Sequence, residues 1–223
     1  MTQRSGPKMK QAPASSRIGA ALLILAVVAV DRLLPDRYRL GPAWMPDVGA
    51  AVMIVPMIID WITKGSPLWR KIERVCMFVA VGAALTINSS NLVIVVYNLV
   101  TNSKSMEPTT LFVTSVAIWG GNMFIFTLIY WLIDRGGPDA RASGQAGYLD
   151  FDFPALEKAD GVPPDWHPGM VDSLFLGFTT STAFSPTEAM PLSARAKILV
   201  MIQSSVSLIT IAVVAARTIN ILQ

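Results

Sequence analysis

The chain has 223 residues, of which 52% are hydrophobic and only 15% charged, with 18 Lys and Arg against 15 Asp and Glu. Together with a positive mean hydropathy, that balance excludes a soluble or disordered chain and places the sequence among integral membrane proteins. The single cysteine, Cys76, excludes an intrachain disulfide, and without a phosphate-binding glycine loop, Cys/His cluster, nucleophile elbow or internal repeat the sequence offers no enzyme and no cofactor site.

Residues 1–17 are polar, Ser/Pro-rich and carry Arg4, Lys8, Lys10 and Arg17 without an acid, which reads as a disordered cytoplasmic tail. Ile18 to Val30 is apolar but runs into Asp31-Arg32 with no small-residue cleavage pattern, so an uncleaved first helix is predicted. A second run, Asp47 to Ile62, contains Pro56, which bends a transmembrane helix without forbidding it. Asp60 lies near its end beside Trp61 and Lys64, where a carboxylate is either an interfacial group or a functional one. Lys64, Arg70, Lys71 and Arg74 then form a basic linker that the positive-inside rule assigns to the cytoplasm. The next apolar region, Val75 to Val100, is interrupted by Asn88-Ser89-Ser90-Asn91 and later Asn98, so it is one long helix or two short pieces. These spans make up an N-terminal transmembrane region, 18–107.

The second region, 108–223, opens with Pro108 and a helix over Thr109 to Ile133, which holds Gly120-Gly121 and the interfacial candidates Trp119, Tyr130 and Trp131. Asp134 to Gly169 is a long hydrophilic connection in which Asp139, Asp150, Asp152, Glu157, Asp160 and Asp165 outnumber the basic residues. It is a vestibule or lid, or a plain solvated loop. Its His167 has no second ligand nearby, so no metal site is expected. Val171 to Phe178 gives about two apolar helical turns, far short of the ~20 residues a bilayer crossing requires. Thr179, Thr180, Ser181, Thr182, Ala183, Phe184, Ser185, Pro186, Thr187 and Glu188 follow, a hydroxyl-rich stretch in which the chain is expected to turn. Ser193 to Leu222 is long enough to cross, with Ser193 as N-cap. A half-crossing therefore precedes a full one, the pattern of a re-entrant loop.

This order of parts resembles the pore module of the potassium-channel superfamily: outer helix, acid opening a pore helix, Thr-rich filter, acid, proline, inner helix. The resemblance covers about the last quarter of the chain. Matching Glu188, three before Pro191, to the filter's aspartate puts Thr182 on the first filter threonine, Ala183 on the second, Phe184 on the valine, Ser185 and Thr187 on the two glycines and Pro186 on the tyrosine. Neither glycine is present, so the inward carbonyl cage of a standard potassium filter is not expected. The layout is also similar to an uncharacterised family of bacterial membrane proteins labelled channel-like, through Asp152-Phe153-Pro154 before the half-helix and Ala183-Phe184 after it.

The sequence thus predicts an all-α integral membrane protein of about five transmembrane helices plus a re-entrant pore helix and loop, in a bacterial inner (plasma) membrane. A lone half-helix cannot enclose a pathway, so self-association is expected, with a tetramer as the working number. The predicted function is a pore-loop ion channel passing monovalent cations with weak selectivity. Residues 179–188 form its constriction, continued by Gln203, Ser207 and Thr210, which share one face of the closing helix. The alternatives are a non-conducting structural or sensory membrane protein and a small-solute transporter. Glu188 either attracts cations or pairs with Arg195. The basic residues sit in tails and linkers, which points to the lipid bilayer and not to nucleic acid. With a cytoplasmic tail and a single crossing over 75–100, the half-helix enters from the cytoplasm; splitting that region reverses the entry.

Overall fold

The computed structural model describes residues 14–63, 66–101, 107–142, 147–153, 168–182 and 189–221. Its helices are α1 (Ala14–Asp31), α2 (Met45–Ile62), α3 (Pro67–Thr101), α4 (Pro108–Ile133), the short α5 (Pro138–Ala142), α6 (Met170–Thr182) and α7 (Ala194–Ile221). Among the described residues the fold is all-α, apart from an antiparallel pair of two-residue strands, β1 (Phe151–Asp152) and β2 (Met190–Pro191). Four helices, α2, α3, α4 with its following turn and α7, are long and apolar enough to cross a membrane.

The helices surround α4. Its apolar residues are spread around the whole cylinder, so it has no polar face to present to water. Most of α4 is buried, against α1, α3, α6 and α7, whereas a third or less of each spanning stretch in α2, α3 and α7 is buried. Within one copy of the chain, α4 is the helix on which the others pack. The Gly120-Gly121 pair explains part of this. A Cβ on Gly121 would stand 2.8 Å from the Asn88 side-chain oxygen, so only glycine allows α3 to approach here. At this crossing Asn88 Nδ2 donates to the Ile118 carbonyl at 3.2 Å.

The Asn88-Ser89-Ser90-Asn91 interruption does not break α3, which runs for 35 residues, roughly 50 Å at 1.5 Å per residue. Asn88, Ser90 and Asn91 have partners that suit a continuous helix. Ser90 Oγ donates to its own Thr86 carbonyl at 2.8 Å, and Asn91 Oδ1 accepts from the Leu40 amide at 2.7 Å.

The expected basic tail is shorter than 1–17, because Ala14 to Arg17 already belong to α1. Arg17 is drawn into the fold by carboxylates. Its guanidinium lies 2.6 Å from Asp60 at the end of α2, 3.4 Å from Glu73 in α3 and 3.9 Å from Asp139 in α5, and donates to the Met57 carbonyl at 2.9 Å. Asp60 is fully buried and paired with Arg17. At the opposite end, Arg39 closes the C-terminus of α1, donating to the Asp31 and Leu34 carbonyls at 2.9 and 2.7 Å. We predict that Arg17→Ala, which strands the buried Asp60 carboxylate, destabilises the purified protein by about 3–5 kcal/mol. Denaturant titration in detergent measures this, and Arg17→Lys should recover only part of the loss because an ammonium lacks the fork.

Candidate functional site

The half-helix α6 has 13 residues, roughly 20 Å at 1.5 Å per residue. It begins beside the turn that follows α4 and ends part-way along α4 and α7. The helix extends four residues into the stretch expected to turn, through Thr179 to Thr182, and two of the four hydroxyls there bond back within it. Thr179 Oγ1 donates to the Phe175 carbonyl at 2.9 Å and Thr182 Oγ1 to the Phe178 carbonyl at 3.1 Å, the back-bonding that lets threonine sit in a helix without competing for its ladder. Residues 183–188, with Ala183, Phe184, Ser185, Pro186, Thr187 and Glu188, lie outside the described residues, as do His167 and Pro154.

Two contacts lay α6 against α4. At Gly177 an added Cβ would stand 2.4 Å from Thr127 Oγ1 and 3.1 Å from the Met123 carbonyl, so the helices meet backbone to side chain. One turn on, Trp119 Nε1 donates to the Ser181 carbonyl at 3.1 Å while its ring meets Phe178 edge-on, with centroids 6.3 Å apart.

Gln203 of α7 closes the third side. The side chain is fully buried and both ends of its amide are used. Nε2 donates to the Gly177 carbonyl and to Ser181 Oγ, both at 2.7 Å, and Oε1 accepts from the Tyr130 hydroxyl. One amide thereby joins α4, α6 and α7. On the other flank Asn122 Nδ2 donates to the Gln203 carbonyl at 3.1 Å and to Ser207 Oγ at 2.9 Å. Gln203, Ser207 and Thr210 share a face, as their spacing predicted, and within the protomer that face is turned inward, each residue being 2% exposed or less. Thr179, Thr180 and Ser181 are also buried, whereas Thr182 is half-buried. Their partners Asn122, Tyr130 and Thr127 were not singled out as site residues by the sequence reading. The available signal was Asn122 itself, an amide in the middle of an apolar helix, which requires a neighbour to bond.

At the entrance of α6 the acidic connection folds back. Asp150 is fully buried and accepts from Ser193 Oγ at 2.6 Å and from Arg195 Nε at 2.6 Å, with Arg195 Nη2 completing a bidentate pair. Arg195 is thus held by Asp150. Ser193 also accepts from the Ala196 amide at 3.1 Å, the N-cap its position predicted for α7. The Leu192 amide donates to the Asp150 carbonyl at 2.8 Å and β1 pairs with β2, so the chain before the 154–167 segment is tied to the chain after 183–188. Burial raises the Asp150 pKa, but hydrogen bonds from Arg195 and Ser193 and the Arg195 charge outweigh it and hold the carboxyl below the usual carboxylate range. Among the described residues no group of His, Cys, Asp and Glu is arranged to hold a metal ion.

What this arrangement can do is hold a short, hydroxyl-ended helix against α4 and α7, with its end fixed by the Gln203 amide and the Trp119 indole. No family model, curated protein or solved structure matches the chain.

Gln203→Leu keeps the volume but removes every bond to α6, so it should destabilise the protein by about 2–4 kcal/mol through unpaired buried partners. It should also raise hydrogen exchange in 170–182 above that in α1 and α2, as mass spectrometry would show. Asp150→Asn should cost about 1.5–3 kcal/mol at neutral pH. Because the folded carboxyl titrates below the unfolded one, near pH 3.9, this stabilisation is full above that value and fades as pH falls through the lower folded pKa. Thermal melting of the two proteins from pH 7 to pH 3 should therefore show the gap closing.

Proposed function

We propose that the chain is a multi-pass protein of a bacterial inner membrane that self-associates and passes monovalent cations with weak selectivity through a pore-loop module. The observation that supports this most is the half-length α6, tied at mid-height between α4 and α7. Backbone that ends at membrane depth is tolerated where protein encloses it or water reaches it, and a repeated half-helix around an axis supplies both. In this reading α1 joins α2, α3, α4 and α7 as a fifth span, Gln203, Ser207 and Thr210 anchor the half-helix, and the passage runs where the 183–188 turns of neighbouring copies meet. The single helix α3 puts the N-terminus, the Arg70–Arg74 linker and the entrance of α6 at one end. Basic residues concentrate there, so the positive-inside rule makes that end cytoplasmic. The half-helix then enters from the cytoplasm, opposite to potassium-type channels.

A second reading, a non-conducting structural or sensory membrane protein, is favoured by Gln203, whose buried amide uses both its ends on partners within one copy of the chain, as do the hydroxyls of Thr179 and Thr182.

Purified protein in liposomes separates the two. The channel reading predicts a homo-oligomer by native mass spectrometry, a cation flux, and a cation-over-anion preference that falls in Glu188→Gln while the assembly persists. Monomer alone, or no flux at any voltage and pH, leaves the non-conducting reading.

A further inference from the structure

Between α1, α2, α3 and α4 lies an apolar cleft of about 270 Å³, to whose lining α6 contributes no residue. It exists because three of the four helices bring small residues to one place: Gly49 and Ala50 of α2, Ala83 and Ala84 of α3 and Gly121 of α4. An added Cβ on Gly49 would meet nothing within 4 Å, so its side of the wall faces open space. Val48, Val52 and Val79 line the cleft and are themselves 40–65% exposed, so it opens sideways on the apolar flank of α2 and α3 and not on an aqueous end.

We infer that this cleft holds the hydrocarbon chain of a bilayer lipid. Water is a poor occupant, because a buried water requires two to four polar partners. The polar side chains at the wall are two, Asp31, ion-paired with Arg39 Nε at 3.2 Å but with that oxygen accepting no hydrogen bond, and Asn88, which donates to the Ile118 carbonyl, so the wall offers a water too few free partners to hold it. A void is a poor state as well, since its lining forfeits dispersion contacts on one side. In a bilayer the abundant matter of the right chemistry is acyl chain, and 270 Å³ accommodates about nine groups the size of a water molecule or methylene at ~30 Å³ each. The gain is contact and not the hydrophobic effect, because the chain leaves one apolar medium for another. Rigid walls on three sides distinguish the cleft from the open flank of α7. The inference rests on the membrane reading of the chain but not on conduction.

The test is photo-crosslinking in vesicles of phosphatidylethanolamine and phosphatidylcholine doped with a phosphatidylethanolamine carrying a diazirine in mid-chain, with adducts mapped by mass spectrometry. Val52 and Ala83 should be labelled about tenfold more than the exposed Leu208 and Ile211 of α7, a preference of about 1.4 kcal/mol. Gly49→Leu, which fills the cleft from a helical position that gains propensity by losing glycine, should remove that excess and leave α7 labelling unchanged. Ala84→Phe should do the same from the opposite wall. Equal labelling of both sets, an excess that survives both variants, or a protein–protein crosslink across the cleft overturns the inference. Absence of label on α7 as well would overturn the membrane reading instead.

Discussion

The end of a helix leaves its last carbonyls without partners of their own, and meeting that need at the end of α6 organises the second half of the protein. Trp119 answers it at Ser181 and Thr182 at Thr179, while Gln203 adds a bond at the Gly177 carbonyl one turn earlier. Since Gln203 comes from α7 and Trp119 from α4, satisfying one short helix fixes the relative position of three. Tyr130 and Asn122 then orient Gln203 from both flanks, so the side chain that holds α6 is itself held.

That arrangement requires α4 to be central. A helix apolar on every side has no polar face to present to water, and here four neighbours enclose it. The close approaches that permit this occur at two glycines. Gly121 admits the Asn88 side chain from α3, and Gly177 of α6 admits Thr127 of α4. Each substitutes backbone proximity for side-chain volume, and each has a polar group beside it. Helix association in an apolar medium favours small residues and hydrogen bonds over hydrophobic burial for the same reason.

The two ends of the fold are closed by charge. Arg17 gathers carboxylates from α2, α3 and α5, and Asp150 gathers Ser193 and Arg195 from the start of α7. Buried charges of this kind tolerate poorly the loss of one partner. They place the start of α1, the α2–α3 turn and the entrance of α6 at one end, which binds the N-terminal helices and the half-helix module into one body. Arg39, Asp31 and Asp36 do the same more locally at the other end.

Several features were legible in the sequence because they depend on one-dimensional quantities. Run length gave the long apolar helices and the short α6, Ser193 the N-cap of α7, and the spacing of Gln203, Ser207 and Thr210 their common face. The fate of α3 was not legible: Asn88 to Asn91 reads as a break until the Leu40 amide is there to donate and the Ile118 carbonyl of α4 to accept. Nor could composition reveal that Thr179 to Thr182 stay helical, since back-bonding and turning satisfy the same hydroxyls. Asp60 and Arg17 read as an interfacial acid and a tail residue because their pairing joins positions 43 residues apart. The sequence by itself determined which segments are apolar, how long each runs and where caps and prolines bound them. Only the tertiary structure decided which way each polar residue faces, because a hydrogen-bond partner on another helix is a property of packing and leaves no trace in local spacing.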